Sequence, residues 1–116
     1  MLEYVYVAGP YSGDVLHNTR NAVFQADILR SAGFTPFIPH AMTLPWDLAF
    51  PHGYEFWLEF DFRWVARCDA VLRLPGESAG ADREVRMAKS LGIPVFASVV
   101  ELIEANRRLA TIMAEG

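Results

Sequence analysis

Residues 69–98 pass without a break from one strand-like run, through a turn and a helix, into another strand-like run. Asp69–Leu74 is short, apolar and β-branched at its centre, as a buried strand should be. Pro75 to Gly80 interrupts it, a helix runs from near Gly80 to Gly92, and Ile93–Ser98 reads as strand again, with Pro94 near its beginning. The same alternation recurs along the chain, and it implies a mostly parallel sheet covered on both faces.

Glu3–Ala8 reads as the first strand and ends in the turn-rich loop Gly9-Pro10-Tyr11-Ser12-Gly13-Asp14. A helix is expected over His17–Ala32, with Gly33 closing it and Ala22, Ala26 and Leu29 on its inward face. Phe24 and Ile28 lie off that face, where they suit a second contact or a partner surface. Phe34–Ile38 is a short strand made imperfect by Pro36, and Pro39–Gly53, with three prolines, reads as a long loop of the kind that often serves as a lid or binding segment. Helices over Tyr54–Cys68 and Val99–Ala114 complete the chain. The expected architecture is a single α/β domain spanning residues 1–116, three-layered and flavodoxin- or Rossmann-like, with a sheet of four to five strands. Ligands in such sheets bind beyond the carboxyl ends of the strands. Here those ends are Gly9 to Asp14, Pro39 onward, and Pro75 to Gly80.

Two carboxylates break the helical patterning. Projected at about 100° per residue, the 80–92 helix gathers Ala81, Val85, Met87, Ala88 and Leu91 on one face, with Glu84 in their midst. On the 54–68 helix, Tyr54, Trp57, Leu58, Trp64, Val65 and Cys68 surround Asp61 in the same way. An acid turned toward a core costs several kcal/mol unless it is paired or protonated. Either acid alone is open to a plain explanation, an ion pair with a neighbouring arginine or capture by backbone amides. Two such acids on helices flanking one strand suit divided nucleophile and proton-transfer roles.

Composition narrows the partners. A formal net charge of −4 without a basic run argues against binding a nucleic-acid polymer. No apolar run approaches the ~20 residues of a membrane span, and residues 1–9 do not form a signal peptide. The single cysteine, Cys68, excludes an intrachain disulfide, so a cytoplasmic location is expected. His17, His40 and His52 have no metal-ligand spacing, and neither a metal nor an organic cofactor is expected. The loops Gly9–Gly13 and Gly76–Gly80 each bring hydroxyls and backbone N–H groups to a helix start, but lack the endings of a phosphate-binding P-loop or a dinucleotide fingerprint. They are equally compatible with plain turns. Ser12 and Ser78 have no histidine at an informative spacing, Cys68 suits packing better than nucleophilic attack, and Trp46 and Trp57 suit either base stacking or core packing.

Taken in order, several short pieces resemble the nucleoside 2-deoxyribosyltransferase-like superfamily, which includes 2'-deoxynucleoside 5'-phosphate N-hydrolases and small uncharacterised members. They are Tyr6-Val-Ala-Gly9-Pro-Tyr-Ser12-Gly13, Asn18 with its Ala-rich helix, Asp61-Phe-Arg-Trp-Val-Ala-Arg-Cys-Asp69, Ser78-Ala-Gly80-Ala-Asp-Arg-Glu84, and Leu91-Gly92-Ile-Pro-Val. The resemblance implies a glutamate nucleophile at Glu84 that attacks C1' of a (deoxy)ribosyl group and displaces the base. It implies an assisting acid at Asp61 and a tyrosine, Tyr6, reaching the catalytic carboxylate. Gly9, Ser12, Gly13, Asn18, Asp69, Ser78 and Gly80 match positions near the substrate. Two departures stand out: Arg86 occupies a position where many members have glycine, and Pro10-Tyr11 stands where the nucleotide hydrolases carry an arginine for phosphate.

The expectation is therefore cleavage or transfer of the N-glycosidic bond of a nucleoside or its 5'-monophosphate, by a cytoplasmic homo-oligomer. The rival is a non-catalytic nucleotide-binding module using the same loops, and behind it a structural subunit whose two acids merely anchor arginines.

Overall fold

A computed structural model describes residues 1–116. Its centre is a four-stranded, all-parallel sheet of β1 (Tyr4–Ala8), β2 (Thr35–Phe37), β3 (Ala70–Arg73) and β4 (Val95–Phe96) in the order β2-β1-β3-β4. Val5 pairs with Pro36 on one side and Ala70 on the other, and Val71 pairs with Val95. Pro36 is accommodated because β2 is an edge strand, where a missing N–H leaves no ladder bond unmade. The order reverses between β1 and β3, and their carboxyl ends open the crevice in which such sheets hold ligands.

Five helices cover the sheet: α1 (Val15–Ser31), α2 (Pro39–Ala49), α3 (Tyr54–Val65), α4 (Ala79–Ser90) and α5 (Val99–Glu115). The period-2 alternation of the strands divides the core. Val5, Val7, Ala70 and Leu72 point to one face and meet Ala22, Ala26 and Leu29 of α1 and Val99 and Leu102 of α5. Tyr6, Ala8 and Val71 point to the other and meet Val65, Cys68 and the α4 residues Ala81 and Ala88. Asn106 of α5 exchanges two 2.9 Å hydrogen bonds with the backbone of Leu2, tying the last helix to the entry of the first strand. No helix is long and apolar enough to cross a membrane.

The segment Pro39–Gly53 departs from expectation: most of it is helix α2 rather than loop. Pro39 begins the helix, where its missing N–H has no partner to lose, and Pro45 lies on the exposed side at the cost of one backbone bond. Tertiary burial of Pro39, His40 and Thr43 outweighs that cost, and Thr43 Oγ1 donates back to the Pro39 carbonyl at 3.0 Å. Helix α3 ends at Val65 rather than Cys68, and β4 is only two residues long. Tyr54 and Trp64, expected on the inward face of α3, are 56% and 38% exposed, and Leu91 of the 80–92 segment is 50% exposed. Phe24 and Ile28 of α1 remain exposed, off the inward face as the projection places them.

Candidate active site

Tyr6 sits mid-strand with its ring fully buried, in stacking contact with Phe37 at 5.6 Å, which in turn stacks on Trp64 at 4.5 Å. This support fixes the phenol so that its O–H donates to Oε2 of Glu84, one turn inside α4. Burial, then the charges of Glu84 and Asp61, hold the Tyr6 hydroxyl well above the ordinary phenol range, so it remains a proton donor. Glu84 is 6% exposed and Asp61, on α3, is 8% exposed. Burial raises the Glu84 carboxyl to about 8 against the pull of the Tyr6 hydrogen bond, with the charge of Asp61 adding to the rise and Arg73 opposing it. Burial likewise raises Asp61 to about 7, opposed by the Tyr6 hydroxyl. Asp61 Oδ1 has no hydrogen-bond partner. The two acids are electrostatically coupled, so they titrate as a pair that holds one proton between its two steps. The Tyr6 O–H is bonded to Glu84 and pulls both acids toward their charged forms, while Oδ1 of Asp61 is left without a partner. Burial outweighs that pull at both acids, most of all at Glu84, so the shared proton rests mainly on Glu84.

Both acids open into a cavity of about 550 Å³ beyond the carboxyl ends of β1 and β3. Gly9, Tyr11 and Ser12 of the first loop form one wall, and Ser78, Gly80 and Ala81 at the start of α4 form another. His40, Thr43, Leu44 and Asp47 of α2 and Tyr54, Trp57, Leu58 and Asp61 of α3 close the remaining sides, with His52 between them. The floor depends on two glycines. A Cβ on Gly9 would lie 2.9 Å from the Leu74 side chain, and one on Gly76, whose φ is +110°, would lie 2.8 Å from the Pro10 ring. The loops after β1 and β3 are thereby pressed together under the cavity.

Hydrogen bonds hold the walls in place. Asn18 does not line the cavity; its Nδ2 donates to the carbonyls of Tyr11 and Ser12, both at 3.1 Å, and sets the shape of the first loop. Gly13 lies outside the lining with φ +89°, as part of the same turn. Ser78 caps α4, its Oγ accepting from Ala81 N at 3.1 Å. His40 Nε2 is 2.9 Å from the Pro10 carbonyl, which only accepts, so Nε2 carries the proton. Burial lowers the His40 pKa, and the ring is neutral. Asp47 Oδ1 accepts from Trp57 Nε1 at 2.5 Å and from His52 N at 2.8 Å, joining the end of α2 to α3.

Asp69 is a correction to the site expected from sequence. It precedes β3, at the end of the sheet opposite the cavity, and its Oδ2 accepts from the N–H groups of Glu3 and Tyr4, both at 2.9 Å. Its work is to register the start of β1 beside β3. Cys68 is buried in the α3/α4 core, and burial pushes its thiol up to about 11. Six cavity residues lay in the segment read as loop: Pro39 and His52, and with them the quartet His40, Thr43, Leu44 and Asp47. The quartet's spacing of i, i+3, i+4 and i+7 is that of one helix face, a signal obscured by the surrounding prolines. No three His, Cys, Asp or Glu side chains are grouped as a metal ion would need.

Several solved structures share this fold. A conserved protein from Enterococcus faecalis V583 superposes with a TM-score of 0.69 at 20% identity, covering 82% of this chain and 62% of its own. The 2-deoxyribosyltransferase of Bacillus psychrosaccharolyticus superposes with a TM-score of 0.59 at 20% identity, covering 79% of this chain and 69% of its own. The 2-desoxiribosyltransferase from Leishmania mexicana gives 0.57 at 20% identity, with 81% and 62% covered. This chain thus spans less than two thirds of the length of the Enterococcus and Leishmania proteins. No curated protein sequence matches it. Residues 3–97 match the model of the domain of unknown function DUF4406, and the chain belongs to that family.

Proposed function

We propose that the protein cleaves or transfers the N-glycosidic bond of a (deoxy)nucleoside or nucleoside 5'-monophosphate, with Glu84 as nucleophile. The observation that carries this reading is the buried Tyr6–Glu84 hydrogen bond opening, together with Asp61, into one cavity at the β1/β3 strand ends. The shared fold with 2-deoxyribosyltransferases supports it.

In this reading the sugar lies over Glu84 with its base toward Asp61. As the C1'–N bond breaks, positive charge develops on the sugar ring, and a carboxylate in a dry site stabilises such a centre strongly. One Glu84 oxygen bonds to C1', the electron pair of the breaking bond stays with the base nitrogen, and the proton on Asp61 passes to the base. Tyr6 holds the other Glu84 oxygen and favours its ionised form. A covalent glycosyl-enzyme then passes its sugar to water or to a second base. The step uses the singly protonated pair with the proton on Asp61 and Glu84 ionised, the less populated of its two arrangements because Glu84 is the weaker acid, and this predicts a bell-shaped pH profile.

Incubating the protein with a panel of nucleosides and 5'-monophosphates, with and without a second base, tests the proposal. Free base or an exchanged nucleoside, seen by chromatography and lost in Glu84→Gln, is the expected result. Tight binding without base release, unchanged by Glu84→Ala, would instead establish a non-catalytic nucleotide-binding module.

A further inference from the structure

The group on the 5' carbon of the sugar is the next question, and the charge lining the cavity bears on it. We infer, resting on the glycosidic reading above, that the site takes a neutral nucleoside in preference to its 5'-monophosphate. Three carboxylates, Asp47, Asp61 and Glu84, line the cavity, and none of the chain's ten Lys and Arg side chains does.

The cations close by are already committed. Arg73 donates to the carbonyls of Leu74 and Gly76 and, from Nη2 at 3.1 Å, to Asp82, with its side chain only 19% exposed. Arg83 forks onto Glu55 at 2.7 and 3.2 Å and lies over the Tyr54 ring, 5.9 Å from its centroid. The amino end of α4 reaches the cavity, but Ser78 Oγ already takes the Ala81 N–H, and Asp82 in the first turn sets a negative charge against the helix dipole. His40 offers no positive charge, because its ring is neutral and its one N–H is bound to Pro10.

A phosphomonoester carries a charge of roughly −1.5 to −2 at neutral pH. Entering this cavity it would lose water without gaining a counter-charge, beside acids that burial has already driven toward their neutral forms. Asp47 does not relax in that way: the His52 amide, then the Trp57 indole, hold its carboxyl below the usual range, so it stays ionised. A free 5'-hydroxyl has no such conflict. It donates to a carboxylate and accepts from a backbone N–H or from Ser12.

The test is a binding titration of the full chain carrying Glu84→Gln, with the four common 2'-deoxynucleosides and their 5'-monophosphates, at low and at physiological ionic strength. The expected result is that at least one nucleoside binds about tenfold or more tightly than its monophosphate, a free-energy gap of about 1.4 kcal/mol. The gap should narrow as salt screens the repulsion. Ser12→Arg, at an exposed position in the wall, should close or reverse the gap by raising monophosphate affinity relative to nucleoside affinity, because it sets a positive charge where the 5' substituent lies. Equal or tighter binding of the monophosphates overturns the inference, and so does the absence of binding by every nucleoside. Base release by the unaltered protein is read separately. Nucleoside binding without release leaves the charge preference standing and sinks the glycosidic reading, whereas release that favours monophosphates does the reverse.

Discussion

The two faces of the sheet use the same strands and carry opposite kinds of side chain. Toward α1 and α5, the strands send Val5, Val7, Ala70 and Leu72 into a core with no buried charge. Toward α3 and α4, the intervening positions include Tyr6 and lead to Asp61 and Glu84, two acids under 10% exposed. The offset is a single residue along β1, because side chains alternate across a strand. One face supplies hydrophobic stability; the other gives some of it up to hold carboxylates away from water. A protein of this size is stable by only ~5–15 kcal/mol, so the apolar face must offset the cost of the face that buries the acids.

This contrast makes opposite predictions for substitutions of similar size. Glu84→Gln should lower base release by about a thousandfold or more, as removal of a covalent nucleophile does, while leaving unfolding stability at neutral pH unchanged or higher. Leu102→Ala, fully buried on the opposite face, should cost about 2–5 kcal/mol in denaturant unfolding and leave the turnover of the remaining folded protein unaltered. If Leu102→Ala changes the rate per folded molecule, or Glu84→Gln unfolds the chain, the division between the faces is wrong. Asp61→Asn should slow base release by about a hundredfold or more, the usual scale for a lost general acid, and flatten the alkaline limb of the pH profile.

Stability against pH sharpens the same comparison. Both buried acids have folded values, about 8 for Glu84 and about 7 for Asp61, above the 4.5 and 3.8 of the free groups. The folded state therefore holds protons that the unfolded chain releases. Their contribution is fully favourable below pH 4 and is lost as pH rises toward 8. Denaturant unfolding should accordingly show a loss on the order of a few kcal/mol between pH 5 and pH 8.5. The double variant Asp61→Asn/Glu84→Gln should remove most of that slope, and an unchanged slope would mean that the acids are not where the burial lies. The smallest expected effect is that of Tyr6→Phe. Loss of the O–H that favours ionised Glu84 should move the acidic limb of the rate profile to higher pH by up to about one unit, with stability lowered by about 1 kcal/mol.

The amino-acid sequence by itself determined the layered α/β class, because strand-like runs alternating with helical ones admit few other arrangements. It also exposed Glu84 and Asp61, since a charge inside an apolar stripe is visible from helical periodicity alone. Three things were decided only in three dimensions. Helix α2 forms in spite of its prolines because the burial of His40 and Thr43 outweighs a lost backbone bond, and no local propensity contains that term. Asp69 and Asn18 turned from candidate ligand contacts into anchors of backbone, because a carboxylate just before a strand, or an amide in the first turn of a helix, reads alike for either role until its partners are placed. The charge of the cavity, three acids and no lysine or arginine, depends on which arginines find partners elsewhere, and pairs such as Arg83–Glu55 and Arg73–Asp82 join residues 28 and 9 positions apart whose meeting only the packed helices decide.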